Sequence, residues 1–311
     1  MNIQKLDYFI TIAETGNLTK AAEMLYVSQP SLSQYLKRLE NSLGVALFDR
    51  TTSPMKLTFS GEKYYAYALE ARRQEENIRL EIQDIKEEIS GKLRLGVPLW
   101  RGSTILPEVF PSFHQQYPKV QLELYEGDSH HLLNALLNNA IDLAVMNVPP
   151  TMNYDKVFCE VFMKERIMIA APMTDPHVQE ALRTSTPGLH YPEISLDILR
   201  QMPVILTKHG QNLTHFTERI IEMNGIDADV LLETHNLTTA VNLVAKQMGC
   251  TFVPEQGAKV CVRPGLVAYF TIKDSIVDCT WDMAVMYRKE FYINKIARRF
   301  IDELYRAGAE E

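Results

Sequence analysis

The run Gly127-Asp128-Ser129-His130-His131 sets a carboxylate, a hydroxyl and two imidazoles side by side, the residue types of a hydrolytic triad. Hydrolysis needs a nucleophile hydrogen-bonded to a base that a third group orients, and adjacent residues at a helix start point in different directions. No Gly-x-Ser-x-Gly elbow accompanies the run. The expectation is therefore Ser129 as a helix cap with both histidines on the helix surface. The four cysteines, Cys159, Cys250, Cys261 and Cys279, lie at least 11 residues apart, without a Cys-x-x-Cys pair or a histidine at metal-ligand spacing. That spacing argues against a disulfide framework and a structural zinc site. Cys250 and Cys261 flank an apolar run and are expected to be buried as small hydrophobes rather than paired as a redox switch. No metal, cofactor or spaced catalytic set emerges, and the chain is not expected to be an enzyme.

A second set of residues suits a different chemistry. Gln29, Ser31, Ser33, Gln34, Lys37 and Arg38 lie mostly outward on a helical stretch whose inner face is Leu32, Leu36 and Leu39. Short polar groups come first and cations follow, the order that suits base edges and then phosphates in a DNA groove. The same pattern also fits the solvated face of an ordinary three-helix bundle. Three elements would position it. Leu6, Phe9, Ile10 and Ala13 recur at helical spacing up to a stop at Gly16. Asn17 can cap a second helix with Leu18, Ala21, Ala22 and Leu25 on its inner face. Ser28 can cap the third, with Pro30 in its first turn, where a missing N–H costs nothing. Two short helices joined by a tight turn form a helix-turn-helix.

The run Ala21-Ala22-x-x-Leu25-x-x-Ser28-Gln29-Pro30-Ser31-x-Ser33, then Leu39-Glu40-x-x-Leu43-Gly44-x-x-Leu47-Phe48-x-Arg50 and Leu57-Thr58-x-x-Gly61, resembles the N-terminal domain of LysR-type transcriptional regulators. The resemblance implies a winged helix-turn-helix over 1–60, with Gln29, Pro30, Ser31, Ser33, Gln34, Lys37 and Arg38 facing DNA. It also implies a wing over 45–58 that brings Arg50 and Lys56 near phosphates. The stretch Thr51-Thr52-Ser53-Pro54-Met55 carries no cation where many members of the family have another basic residue.

Charge agrees with a confined DNA contact. The first 60 residues hold six Lys/Arg and five Asp/Glu, while the whole chain of 311 residues has a net charge of −7. A polycationic coat is excluded, and the acidic remainder discourages indiscriminate phosphate binding. Beyond Gly61, Tyr64, Ala68, Ala71, Glu75, Ile78, Ile82, Ile85 and Ile89 step by fours and threes. That seam predicts a long linker helix over 61–89 that pairs with a second copy through Tyr64, Ile78, Ile82 and Ile85. Packing of this helix on its own C-terminal domain is the alternative.

From Gly91 onward, short apolar runs alternate with helical ones, the texture of an α/β domain with mostly parallel sheets. Gly96, Leu106-Pro107, Phe113, Tyr117-Pro118, Glu126-Gly127, Asp142-Leu143-Ala144 and Val253-Pro254 resemble the effector domain of the same family. The resemblance implies a two-lobed periplasmic-binding-protein-like (type 2) unit over 91–311. Lobe I is expected at 91–164 and 270–311, and lobe II at 165–269. Segments from both lobes would line a cleft for a small effector, through Pro98, Trp100, Ser103, Ser129, Thr207 and His209. Helix N-termini and hydroxyls converging there favour a small organic acid. Trp100 offers either a stacking platform for a flat ligand or simple packing between the lobes.

The sequence thus points to a cytoplasmic DNA-binding regulator, α/β with an N-terminal winged helix-turn-helix. Its expected partners are a double-stranded operator, a small-molecule effector and further copies of itself as a homodimer or homotetramer. The resemblance also admits RNA polymerase as a partner. No apolar run reaches the roughly 18 residues that a membrane helix needs, and no signal-peptide pattern opens the sequence. The competing reading is a two-lobed small-molecule binding protein with no transcriptional role.

Overall fold

The computed structural model describes residues 4–84, 89–148, 153–186, 188–208, 212–261, 263–290 and 292–309. The chain forms two compact units, Met1–Glu87 and Glu88–Glu311.

In the first unit, α1 (Gln4–Thr15) stops at Gly16, whose φ is +57°. A Cβ there would lie 2.8 Å from the Pro54 Cβ, so the position needs glycine both for backbone freedom and for space. Asn17 caps α2 (Leu18–Met24) by accepting from the N–H groups of Thr19 and Lys20. Ser28 caps α3 (Gln29–Leu43), Pro30 sits inside its first turn, and left-handed Gly44 closes it. Leu6, Phe9, Ile10, Ile12, Ala21, Ala22, Leu32 and Leu36 form the core between these helices. The antiparallel ribbon β1 (Phe48–Asp49) and β2 (Lys56–Leu57) makes the wing.

The wing is tied down by residues of the LysR-like run. Glu40 Oε1 accepts from Leu47 N at 2.9 Å and from Phe48 N at 3.3 Å, while Oε2 accepts from Arg50 Nη2 at 2.7 Å. Thr58 Oγ1 donates to the Ala46 carbonyl at 2.8 Å and accepts from Gly61 N at 3.0 Å. At Gly61 a Cβ would fall 2.0 Å from the Leu47 carbonyl oxygen, so any side chain there would push the next helix off the wing.

That helix is α4 (Phe59–Asp84), 26 residues and about 39 Å long. Its early turns pack within the head. The Tyr64 ring stands edge-on 4.7 Å from Phe9, Ala68 is fully buried, and Ala71 packs on the same core. Tyr64, half-buried, packs on the head's own core through Phe9. Ile78 and Ile82, 55% and 59% exposed, remain unpacked. Ile85 lies outside the described residues. Ile89 falls beyond α4 and packs against the core of the second unit.

The second unit runs β3 (Gly91–Val97), α5 (Leu99–Gln116), β4 (Val120–Glu126), α6 (Ser129–Leu137), β5 (Leu143–Asn147) and β6 (Val157–Pro172). Then come α7 (Pro176–Thr184), β7 (Glu193–Ile194), α8 (Ile198–Gln201), β8 (Val204–Thr207), α9 (Asn212–Met223) and β9 (Val230–Thr234). The chain closes with α10 (Leu237–Val244), β10 (Cys250–Pro254), α11 (Glu255–Val260), β11 (Val267–Ile272), β12 (Thr280–Arg288) and α12 (Lys295–Ala309). Strand order is β4-β3-β5-β12-β6-β10-β8-β9, with β11 branching from β6 and β7 pairing with β11.

β6 belongs to both lobes. Val157–Arg166 pairs with β12, and Ile167–Pro172 pairs with β10 and β11. The crossing therefore falls between Arg166 and Ile167 rather than at 164/165, and the return follows Ile272 rather than starting at 270. The sheets are mixed: β3 pairs parallel with β4 and β5, β8 with β9 and β10, and β11 with β7, while every β6 ladder and the β12–β5 pair are antiparallel. Lobe II has its own apolar core, which includes Ile169, Ile205, Val241 and Phe252. Lobe I buries one face of its sheet under α5 and α12 and the other under α6.

Candidate functional site

The outward face of α3 is built as its spacing implies. Gln29, Pro30, Ser31, Gln34, Lys37 and Arg38 are exposed and Ser33 is half-buried. Ser31 Oγ lies 2.7 Å from the Ser28 cap hydroxyl, so the first turn is braced before any partner arrives. Tyr35, which the spacing did not single out, anchors the helix from behind. Its hydroxyl donates to the Lys5 carbonyl and its ring meets Tyr8 edge-on at 5.4 Å. Burial raises its phenol pKa, which keeps it a neutral donor.

The wing offers less positive charge than its residue count suggests. Arg50 is exposed, yet its guanidinium already pairs with Glu40. Lys56 is exposed and faces Asp49 across the ribbon. The Asp49 carboxyl is held below its usual range by hydrogen bonds from Thr51, so an anion stands between the two cations.

In the second unit the hydrolase-like run resolves into a cap. Asp128, not Ser129, is the N-cap of α6: Oδ1 accepts from His131 N at 2.9 Å and Oδ2 lies 2.6 Å from His131 Nδ1. Partial burial opposes ionisation of Asp128, but the His131 and His130 N–H groups outweigh it and keep the carboxyl low. Ser129 stands one residue later and is buried. Its hydroxyl accepts from Asn212 Nδ2 at 2.7 Å, and the same amide donates to the Asn147 carbonyl at 3.1 Å. Asn212 opens α9 in lobe II, whereas Ser129 and Asn147 belong to lobe I, so one carboxamide spans the cleft.

The other expected cleft residues divide. Pro98 caps α5 without a side-chain hydrogen bond. Trp100 packs against the lobe II core, and one face of its ring is covered by the Arg101 guanidinium at 3.9 Å. The packing role therefore applies, and that face is closed to a flat ligand. Ser103 is exposed and its hydroxyl returns to the Trp100 carbonyl at 2.6 Å, away from a cleft role. Thr207 is buried with its hydroxyl 2.7 Å from that of Thr214. His209 lies outside the described residues.

The strongest feature of the cleft was not among the expected residues. Arg101 is 0% exposed. Its Nη1 and Nη2 donate to Glu165 at 3.2 and 2.7 Å, and Nη2 also donates to Asn147 Oδ1 at 2.7 Å. Glu165 accepts two more bonds, from Gln256 N and from Trp281 Nε1, both at 2.8 Å. Residues of both lobes thus converge on the strand that joins them. Arg101 Nε and Asn147 Nδ2 are buried donors without a partner among the described residues. Arg101 holds Asn147 Oδ1, which fixes the amide so that its NH2 is the end left over. Arg101 heads the i, i+4 row Arg101, Ile105, Val109, Phe113, all buried; a cation at the head of an apolar row is the one signal that could have found it.

All four cysteines are free thiols. Cys250 is fully buried and its thiol is pushed up to about 12 by burial; Cys159 and Cys279 are raised by the same cause. Among the described residues no group of His, Cys, Asp and Glu is placed to hold a metal ion, and no helix is long and apolar enough to cross a membrane.

Comparison with known proteins matches both units. Residues 3–62 match the bacterial regulatory helix-turn-helix protein, lysR family, and residues 86–309 match the LysR substrate binding domain. The chain is 28% identical over 309 residues to the HTH-type transcriptional regulator BsdA of Bacillus subtilis (strain 168), covering 97% of this chain and 99% of the relative. It is 26% identical over 311 residues to the uncharacterised HTH-type transcriptional regulator YcgK of the same strain, covering 97% and 93%. A solved structure of full-length OxyR from Pseudomonas aeruginosa shares the fold with a TM-score of 0.70 at 24% identity, over 99% of this chain and 97% of that one. With the outward face of α3 exposed, its wing latched and two lobes in its second unit, the chain belongs to the LysR family of transcriptional regulators, DNA-binding proteins controlled through an effector-binding domain.

Proposed function

We propose that this regulator senses a small organic acid in the cytoplasm, bound between the lobes beside Pro98, Trp100, Ser129 and Thr207, and that it has no catalytic activity. The observation that carries the reading is the pair of unpartnered buried donors, Arg101 Nε and Asn147 Nδ2, beside the cross-lobe amide of Asn212. Buried donors without acceptors are costly and call for an oxygen-rich ligand or an ordered water. Ser129 adds a hydroxyl that accepts from Asn212 and whose proton has no acceptor among the described residues. The division proposed for the chain is 1–60 for DNA, 61–89 as the linker and 91–311 for the effector, with self-association through the exposed Ile78 and Ile82.

A thermal-shift screen of organic acids, neutral sugars and amines tests the ligand class. Acids are expected to stabilise the protein. Ser129→Ala should weaken a hit by about 10–100-fold, the worth of a hydrogen bond to a charged group. Asn147→Asp keeps the acceptor that Arg101 uses but replaces the free donor with a negative oxygen, and should abolish acid binding. Stabilisation by neutral or cationic compounds alone, or unchanged binding in both variants, refutes the reading.

A further inference from the structure

The turn between α2 and α3 contains a residue whose backbone and side chain disagree. Tyr26 has a φ of +53°, a left-handed conformation that glycine or asparagine adopts readily and that a bulky aromatic does not. The turn requires it. After Leu25 caps α2, Tyr26 N donates to the Glu23 carbonyl at 3.2 Å and Val27 N reaches back to the Ala22 carbonyl at 3.0 Å, the closure that turns the chain into α3. Fold stability therefore favours a small residue at this position. The tyrosine gains nothing in return from packing, since it is 97% exposed and its hydroxyl has no partner among the described residues. An aromatic held in an unfavourable conformation, in a hydrogen-bonded turn, with its whole ring in solvent, points to a use outside the fold.

The turn's place in the motif identifies that use. Tyr26 stands two residues before Ser28, the cap of the reading helix, and directly after α2, the helix that in a helix-turn-helix crosses the DNA backbone. We propose that Tyr26 is a DNA-backbone contact, its hydroxyl donating to a phosphate oxygen beside the groove that α3 enters. It supplies register without reading sequence, as phosphate contacts do. Because tyrosine is neutral, it does so without releasing a counterion. Its loss changes affinity but not the salt dependence, which separates it from Lys37 and Arg38.

The conflict between fold and function makes the test clean. In the full-length protein, Tyr26→Asn suits the left-handed turn, so its urea midpoint should equal or exceed that of the parent. Affinity would be measured at several salt concentrations on the DNA upstream of the protein's own gene and on a scrambled duplex of the same length. Tyr26→Asn and Tyr26→Phe should each bind about tenfold more weakly on both duplexes, with an unchanged salt slope, while Lys37→Ala flattens the slope. Parent-like affinity in Tyr26→Asn or Tyr26→Phe overturns the proposal. So does a loss confined to one duplex, which would indicate base reading, or a loss that accompanies a lower urea midpoint, which would indicate a damaged fold. If Lys37→Ala also leaves binding and slope unchanged, the assignment of the whole α3 face fails as well.

Discussion

Glu165→Gln is the most exacting perturbation of the effector unit, because it keeps the side-chain volume and changes only what the carboxylate does. Oε1 accepts from Arg101 Nη1 and Gln256 N, and Oε2 accepts from Arg101 Nη2 and Trp281 Nε1. An amide has one acceptor oxygen. Whichever way it turns, its NH2 meets two donors, so two hydrogen bonds become donor–donor contacts and Arg101 loses its counter-charge in a fully buried site. Each orphaned buried group costs about 1–3 kcal/mol, a sum of about 2–6, and breaking one partner of a buried ion pair independently suggests about 3–5 kcal/mol. The two routes agree near 4 kcal/mol, which for a unit of this size corresponds to a fall in melting temperature of about 8–16 °C.

The assay is built into the chain. Both tryptophans, Trp100 and Trp281, flank Arg101 in the second unit, so tryptophan fluorescence during urea or thermal unfolding follows that unit alone. Arg101→Met removes the cation that Glu165→Gln strands, and the double variant should recover at least about 2 kcal/mol relative to the sum of the singles. A Glu165→Gln protein within about 1 kcal/mol of the parent, or strict additivity in the double variant, would mean that the cluster is wet or mobile rather than a dry, fully paired floor.

Other consequences are smaller and equally direct. Ile82→Glu puts a carboxylate on the exposed stretch of α4 and should dissociate a dimer and weaken operator binding; sedimentation showing an intact dimer at micromolar concentration would remove Ile78 and Ile82 from the interface. Glu40→Ala leaves the Leu47 and Phe48 N–H groups and the Arg50 guanidinium without their acceptor, so the DNA-binding head should lose about 1–3 kcal/mol, read by circular dichroism of residues 1–87 within the full chain. The hydrogen bond from Arg166 holds Glu255 below its ordinary value of 4.5, so the folded unit takes up that proton less readily than the unfolded chain. The resulting stability is complete above pH 4.5 and is lost as pH falls through the lowered folded value. Arg166 is half exposed, which limits the effect to under about 1 kcal/mol, and Glu255→Gln should flatten the acid limb of the stability curve by that amount.

Much of the head was legible in sequence because its information is local. Caps at Asn17 and Ser28, the stop at Gly16 and the apolar rows of α1 to α3 each lie within a few residues of what they control. The periodicity of α4 does not by itself say what covers it: within the chain, Tyr64, Ala68 and Ala71 pack on the head's own core, Tyr64 against Phe9. In the second unit, the first half of β6 is hard to read from sequence, since Glu160, Lys164 and Glu165 interrupt its apolar run. Those charges are tolerated because one strand serves two sheets and carries the buried ion pair where they meet. β9 lies at the sheet edge and is largely exposed, so it has no buried alternation to find. Arg101, Asn147, Glu165 and Asn212 were missed for a different reason: they are far apart in sequence and acquire meaning only from one another.

The polar groups of the cleft fall into two tiers of unequal strength. Arg101 and Glu165 share charge-assisted bonds inside the protein, with the Gln256 and Trp281 donors closing the carboxylate's remaining capacity; opening that cluster strands charges and costs several kcal/mol. Asn212 holds Ser129 and the Asn147 carbonyl through two neutral bonds from a single nitrogen, each worth about 0.5–1.5 kcal/mol in net terms. On these energies the Asn212 bonds are the weaker tier, so separation of the lobes is expected to break them before the ion-pair cluster, with the cluster as pivot and Asn212 as catch. A catch of about 1–3 kcal/mol lies within the range of coupling energies by which ligands bias a two-state domain. For the proposed acid effector, a modest preference for one lobe arrangement is then sufficient, provided it supplies an acceptor oxygen to Asn147 Nδ2 and to the Ser129 proton, which the bond from Asn212 leaves unused. Asn212→Ala should accordingly leave the unfolding midpoint of the second unit within about 2 kcal/mol of the parent while changing effector affinity, whereas Glu165→Gln should shift the midpoint by about twice that. Equal losses of stability in the two variants would contradict the division into pivot and catch.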